Sequence, residues 1–405
     1  MNLKPYLASL IISASATLPV MAQTNSHPLQ TAAVNNVFAY DLYAKLKSTE
    51  GNLFFSPLSV STALAMTYAG AKGNTAEQMQ KTLHFPASQH DTHAEFAALL
   101  KHFDEVQHNG AVQIDMANSL WPQQGAALLE SYLTLVKQTY DVSVTPVDYR
   151  HAEPEARARI NEWVEKKTHG KIVNPIAKLS PDNRLVLVNA VYFKGSWESP
   201  FKPEQTHDAP FFTGDLTLQT SLMEQTKWLP YAAPDGIQIV KFPYQGNQLS
   251  MTVILPVDKT PAGLKKLESQ LTETQVALWD EQLRPTQIQV FLPKFKLEWG
   301  TASLAKPLAR LGMRDAFLLG KADFSGINGN KELFIGDVLH KAFIAVDEKG
   351  TEAAATTVIA VVDGAALTPR HPPVFRADHP FLFLIQDNAT GSVLFMGRVM
   401  NPTGQ

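Results

Sequence analysis

The stretch Asp347 to Pro373, DEKGTEAAATTVIAVVDGAALTPRHPP, constrains the fold more than any other part of this 405-residue chain. It follows a strand-like apolar run, Leu339 to Val346, and from Gly350 to Thr357 it carries no bulky side chain. A loop that needs only to be soluble takes Ser, Asn, Asp and Lys. This one places Thr351, Ala353, Ala355, Thr357, Ile359 and Val361 at alternate positions, which on a strand project to one face. None of them is charged. The other face holds Glu352, Ala354, Thr356, Val358, Ala360 and Val362, with its only charge near the start. The segment is written for a sheet interior, yet it runs into Gly364 and the proline-rich 369–373 stretch of an exposed loop. A sequence compatible with both states implies a switch by strand insertion, the alternative on this segment alone being an ordinary Ala-rich loop or helix.

A sheet able to accept another strand needs a large body around it, and the rest of the chain provides one. Ser56-Pro57 opens a helix with a cap and a proline at its first position, and its body, Leu58 to Tyr68, is nearly all apolar or small. Such a helix is buried on most sides. Asn35 to Lys47 carries a helical apolar stripe, and Glu153 to His169 reads as an amphipathic surface helix ended by Gly170. Arg184 to Phe193 is a strand apolar on both faces, and residues 237–256 and 288–297 are further strand-like runs. The chain ends in two β-runs around a turn at Asn388 to Gly391. The coarse reading is mixed α and β around one big sheet, without repeat or linker.

Composition removes several classes. Hydrophobic residues make up 45% and charged ones 18%, which excludes disorder. Zero cysteines exclude disulfide scaffolds, thiolate metal sites and a cysteine nucleophile. A net charge of −3 supplies no global field for nucleic acid or anionic lipid. At the start, Lys4, a mildly apolar stretch from Leu7 to Leu18, Pro19 and Val20-Met21-Ala22 read as a secretory signal, residues 1–22, cleaved after Ala22. That stretch is too short and too rich in Ser, Ala and Thr to span a bilayer. The expectation is a mature protein, residues 23–405, secreted or periplasmic, with no membrane and no nucleic-acid partner.

The enzyme signatures with local motifs are absent: G-x-S-x-G, H-E-x-x-H, a Walker loop and G-x-G-x-x-G. The densest titratable cluster is His84, His90, His93, His102 and His108. His90 and His93 sit three apart and could share a metal on a helix, but interleaved Asp91, Glu95, Lys101, Asp104 and Glu105 favour a solvated helix. Asp378-His379 is an adjacent pair, which a catalytic triad would not use, and no activated serine accompanies it. No metal, no cofactor and no catalytic residue is expected.

Five motifs, in order, resemble the serpins over nearly all of the mature chain. NLFFSPLSVSTALAMTYAGAKGNTAEQM (52–79) resembles their buried second helix, and LVNAVYFKGSWESPF (187–201) the strand and turn at the top of their central sheet. VLHKAFIAVDEKGTEAAATT (338–357) resembles the fifth strand running into the hinge, and FRADHPFLFLI (375–385) and LFMGRVMNP (394–402) the C-terminal signature. The resemblance implies an α+β serpin fold: a single large domain with three β-sheets, eight to nine helices and an exposed reactive-centre loop at about 348–373. It implies an inhibitory, secreted, bacterial member, monomeric, whose partner is a target protease. The protease would acylate itself on the loop and be dragged away as roughly fifteen residues, at ~3.3 Å each, insert as a strand and carry it ~50 Å.

Residue roles follow where the motifs match. The hinge would be Glu348, Gly350, Thr351, Glu352, Ala353, Ala354, Ala355, Thr356 and Thr357. Ser56, Ser59, Asn189 and His340 resemble the hydrogen-bonded shutter where strands part; Trp197 and the pair Lys294 and Glu348 resemble the breach where the loop enters. The helix matching the heparin-binding element, about 88–104, is acidic and His-rich, so no strong polyanion binding is expected. Counting sixteen positions from Glu348 puts the reactive centre at Gly364, whereas counting back from Phe381 lands between Ala366 and Arg370, because the span is several residues longer than usual. Gly364, Ala365, Ala366 and Leu367 suit an elastase-like or chymotrypsin-like pocket, or a papain-like cysteine protease; Arg370 suits a trypsin-like one. A non-inhibitory binding serpin, disfavoured by the small residues from Thr351 to Thr357, and a secreted hydrolase are the other classes.

Overall fold

Ser56 is extended (φ −105°, ψ 103°), and its hydroxyl accepts the Ser59 amide, so the chain enters a helix at Pro57 with one of its open N–H groups already satisfied. All twelve residues of that helix are buried. The computed structural model describes residues 27–108, 112–214, 216–300, 303–351 and 372–404. The expected signal, residues 1–22, and the segment from Glu352 to His371 lie outside them.

In chain order the strands are β1 (Leu53–Phe55), β2 (Val112–Pro122), β3 (Ser143–Val144), β4 (Leu185–Ser196), β5 (His207–Phe212), β6 (Thr217–Ala232), β7 (Ile237–Pro243), β8 (Leu249–Pro256), β9 (Arg284–Pro293), β10 (Phe295–Trp299), β11 (Ile335–Asp347), β12 (Gly350–Thr351), β13 (Val374–Arg376), β14 (Phe381–Asp387) and β15 (Val393–Val399). The helices are α1 (His27–Leu46), α2 (Pro57–Tyr68), α3 (Gly73–Leu83), α4 (Gln89–His108), α5 (Glu130–Tyr140), α6 (Glu153–Lys167), α7 (Pro261–Gln270), α8 (Glu273–Asp280), α9 (Ala305–Leu311) and α10 (Ser325–Asn328).

One sheet runs β10-β11-β12-β4-β2-β3. Its β4 is apolar on both faces because it is covered twice: Val191 and Phe193 enter the core between the sheets, while Val186, Val188 and Tyr192 pack with Ile160 and Val164 of α6. The second sheet runs β1-β15-β14-β8-β7-β6-β9-β13, with β5 on β6. Where three sheets were expected, the described residues form two hydrogen-bonded sheets. The sixteen-residue β6 pairs with β5 at one end, with β9 along its body and with β7 at Tyr231–Ala232, so it joins into one hydrogen-bonded path what would otherwise be two sheets. Ten α-helices among the described residues exceed the eight to nine expected; the excess lies in pieces as short as the four-residue α10, which carry no amphipathic period to read. The whole is a single α+β domain.

Candidate functional site

β11 does not run straight into the following segment. Asp347 Oδ1 accepts the amides of Lys349 (2.8 Å) and Gly350 (3.3 Å), and the chain reverses over Glu348 and Lys349. The returning β12 pairs antiparallel with β11 (Val346↔Thr351, Asp347↔Gly350) and with β4 (Gly350↔Ser196, Thr351↔Gly195). Gly350 has φ 151°, and a Cβ there would stand 2.1 Å from the Gly195 carbonyl oxygen, so only glycine fits between the strands. Thr351 is fully buried, its hydroxyl 2.7 Å from the Tyr244 hydroxyl.

Below this wedge β4 and β11 close on each other in parallel, from Tyr192↔Phe343 down to Leu185↔Ile335. Trp197 brackets the turn: its indole N–H donates to the Asp347 carbonyl (3.0 Å), its amide to the Lys349 carbonyl (2.9 Å), and its ring stacks on Tyr244 at 4.8 Å. Lys294 Nζ lies 2.9 Å from Glu348 Oε2, and Thr206 donates to Oε1 at 2.8 Å. Burial pushes the Glu348 carboxyl up, but Lys294 and the hydrogen bonds outweigh it and hold the group below its ordinary value. Glu348 is buried, not exposed, and only Lys294 keeps substantial contact with water.

Lower on the same seam, Asn189 of β4 and His340 of β11 face each other in register. The Ser56 amide donates to His340 Nε2 (3.1 Å), so the proton sits on Nδ1, which donates to Asn189 Oδ1. Asn189 Nδ2 donates to Ser59 Oγ and to Asn118 Oδ1 on β2, and Ser56 Oγ donates to the Leu394 carbonyl (2.6 Å). One network therefore ties both strands of the parallel pair to α2, β2 and β15. Burial pushes the His340 imidazole down to about 3, helped by the neighbouring Lys341 charge. Ser56 serves as helix cap and network member at once.

Ser56, Ser59, Asn189 and His340 thus meet in one cluster, and Trp197, Lys294, Glu348, Gly350 and Thr351 in another. Glu352, Ala353, Ala354, Ala355, Thr356, Thr357, Gly364, Ala365, Ala366, Leu367 and Arg370 lie outside the described residues. Reading the sequence missed Tyr244, Thr206 and Asn118. None stands in a motif: Asn118 and Tyr244 are brought in by strand pairing and Thr206 by the turn that precedes β5, each from a distant part of the chain.

Two expectations need correction. The helix around His93 is not a solvated one on that side. His93 is buried, its Nδ1 2.6 Å from the Tyr140 hydroxyl, and burial pushes it down to about 4, whereas His90 is exposed. Among the described residues no three His, Asp or Glu side chains converge on a metal position. Asp378 and His379, although adjacent, do orient one another: Nδ1 lies 2.8 Å from Asp378 Oδ1, and Nε2 lies 2.7 Å from the Pro256 carbonyl. Both nitrogens face acceptors, which leaves none to activate a nucleophile.

The geometry is that of a two-residue strand seated between β4 and β11 at the head of their parallel pairing, in a single α+β domain. The chain belongs to the serpin (serine protease inhibitor) family, whose model matches residues 33–402. It is 40% identical to an uncharacterized serpin-like protein of Thermococcus kodakarensis over 392 residues, 96% of this chain and 90% of that one. It is 41% identical to leukocyte elastase inhibitor A of Rattus norvegicus over 385 residues, 92% of this chain and all of the relative. The structure superposes on human thyroxine-binding globulin with a TM-score of 0.83 at 27% identity, covering 93% of this chain and all of that one.

Proposed function

We propose that the chain is an irreversible suicide inhibitor of proteases and not itself an enzyme. The observation that carries this is the two-residue β12, antiparallel to both neighbours at the head of a parallel seam. If the chain beyond Thr351 continues along that line, the parallel β4–β11 contact is exchanged for two antiparallel ones, with a full ladder gained on each edge. Since Thr351 points at Tyr244, Ala353, Ala355, Thr357, Ile359 and Val361 would follow it onto the same inner face, small enough or apolar enough to enter. Burying Ile359 and Val361 adds about 1.5–3 kcal/mol each.

In this reading the Trp197, Lys294 and Glu348 cluster is the entry point, and the Asn189–His340 network is the seam that opens. A protease cleaving at 364–367 would be carried off as an acyl complex before it can deacylate. The uncharged residues at that window, and the likeness to leukocyte elastase inhibitors, favour an elastase-like or chymotrypsin-like target over a trypsin-like one at Arg370. The protein acts as a monomer, exported after cleavage following Ala22. Incubation with a panel of proteases tests this: an SDS-resistant covalent complex is expected, whereas cleavage without a complex would indicate a binding protein and substrate turnover a hydrolase.

A further inference from the structure

Leu318 and Leu319 are 50% and 66% exposed, the only adjacent pair among the exposed large apolar side chains of the described residues. A single exposed leucine is ordinary, but a turn favours Gly, Asn, Asp or Ser. This turn is tight: Lys321 and Ala322 both donate their amides to the Leu318 carbonyl, at 3.0 and 2.9 Å, and Gly320 takes φ 76°. A Cβ on Gly320 would meet nothing within 4 Å, so the leucines stand on a projecting tip and not in a groove. The root of the tip is fixed. Gln78 Oε1 accepts the amides of Arg314 and Asp315, each at 2.8 Å, Asn74 donates to Asp315 at 2.5 Å, and Thr75 Oγ1 accepts the Asp323 amide at 2.9 Å, which ties both ends of the excursion to α3. The charge around it is positive. Lys72, Arg314 and Lys321 are exposed and form no ion pair with a described residue, whereas Asp315 is engaged by Asn74 and Asp323 by Lys331 at 2.8 Å. The two stretches that meet here, residues 72–81 and 305–332, hold seven Lys and Arg against four Asp and Glu, a local net of +3 in a chain of net charge −3.

We propose that this tip docks on a membrane surface rich in anionic lipid, lying on it without spanning it. A protein partner would have to offer a pocket shaped to two leucines. A bilayer interface needs no pocket: it takes up aliphatic side chains from a convex tip and supplies the anionic charge that Lys72, Arg314 and Lys321 do not find within the fold. The net charge of −3 argues against anionic lipid as a long-range field, but headgroup contacts act within about a Debye length, where the local sign decides. The fold also sets the orientation. Ala316 packs in the core cluster that holds Ile335 and Val338 at the start of β11, whereas Ile344 and Val346, near the other end of that strand, belong to a second cluster. Thirteen residues of β11, roughly 40 Å, therefore separate the tip from Asp347, and lipid contact leaves Glu348 and β12 facing solution. The inference is independent of the inhibitory reading.

The test is sedimentation of the full chain with vesicles of phosphatidylcholine and phosphatidylglycerol in about a 2:1 ratio, and with phosphatidylcholine alone. Two double variants are compared with wild type: Leu318→Ser with Leu319→Ser, and Arg314→Gln with Lys321→Gln. All four side chains are exposed, so both variants should keep the wild-type thermal midpoint. Wild type should bind the anionic vesicles at least about fivefold more tightly than the neutral ones, and each double variant should lose about fivefold or more of that binding. No sedimentation of wild type with anionic vesicles at about 1 mM lipid, or equal binding to both kinds, would overturn the assignment. So would binding by the serine pair within about twofold of wild type: if the glutamine pair alone lost binding, the site would be one for a soluble polyanion. A change in self-association without a change in vesicle binding would give the tip to a second copy and contradict the proposal.

Discussion

The hydroxyls of Thr351 and Tyr244 meet at 2.7 Å beneath the top of the six-stranded sheet, 107 residues apart in the chain. Both side chains are fully buried, and burial pushes the Tyr244 phenol well up, so the contact is between two neutral hydroxyls at any working pH. It anchors β12 in the sheet. Tyr244→Phe keeps the stacking on Trp197 and removes only this bond. A double-mutant cycle with Thr351→Val should give a coupling of about 0.5–1.5 kcal/mol in thermal or denaturant unfolding. Additive losses would show that the hydroxyls do not bond.

Thr351→Arg should convert an inhibitor into a substrate. The position is closed on both sides by backbone and its side chain is fully buried, so burying a guanidinium there costs several kcal/mol. The arginine must stay outside, β12 is withdrawn, and insertion starts too late to outrun deacylation. Gel analysis with a protease that wild type traps should show cleaved chain in place of complex; trapping at the wild-type stoichiometry would contradict this.

Acid should weaken the intact form through two buried histidines. His340 is held down to about 3 and His93 to about 4, both by burial, whereas an unfolded chain titrates its histidines near 6.5. The unfolded state therefore takes up protons that the native state refuses: stability is full above about pH 6.5 and falls as pH drops toward the folded values. At pH 5 the loss is about 2 kcal/mol for each. Urea midpoints at pH 7 and pH 5 should differ less for His340→Asn than for wild type. An identical pH slope in the variant would contradict the buried neutral imidazole.

The elements whose period or capping is local were legible in the sequence. Ser56-Pro57 announces α2, the two-sided apolar run announces β4, and the turn at Asn388 to Gly391 separates β14 from β15. What lies between elements was not. The reversal at Glu348 and Lys349 depends on Gly350 fitting against Gly195, and the merging of sheets depends on how far β6 extends past its partners. Neither is a pattern of nearby residues. His93 reads as solvated because its neighbours in sequence are charged, yet it faces Tyr140, 47 residues on. Asn189 and His340 could be picked out only by family likeness; their register across a parallel pair is a tertiary fact.

The scissile bond can be read directly. Mass spectrometry of the C-terminal fragment released from a trapped complex should give a first residue between Ala365 and Thr368. A fragment starting at His371 would place cleavage after Arg370 and contradict the elastase-like assignment.

The central claim is that the sheet holds a place for the loop and that the intact chain is not its most stable form. Nicking an ordinary surface loop gains chain entropy and leaves stability unchanged or lower. On the proposed mechanism, cleavage would free the chain beyond Thr351 to fill the seam between β4 and β11, with ladder bonds on both edges and new burial amounting to on the order of 10 kcal/mol or more. The measurement is the thermal midpoint of intact protein against protein cleaved in the loop by a protease it does not trap. The account predicts a rise on the order of 20 °C on cleavage; an unchanged or lower midpoint would contradict it.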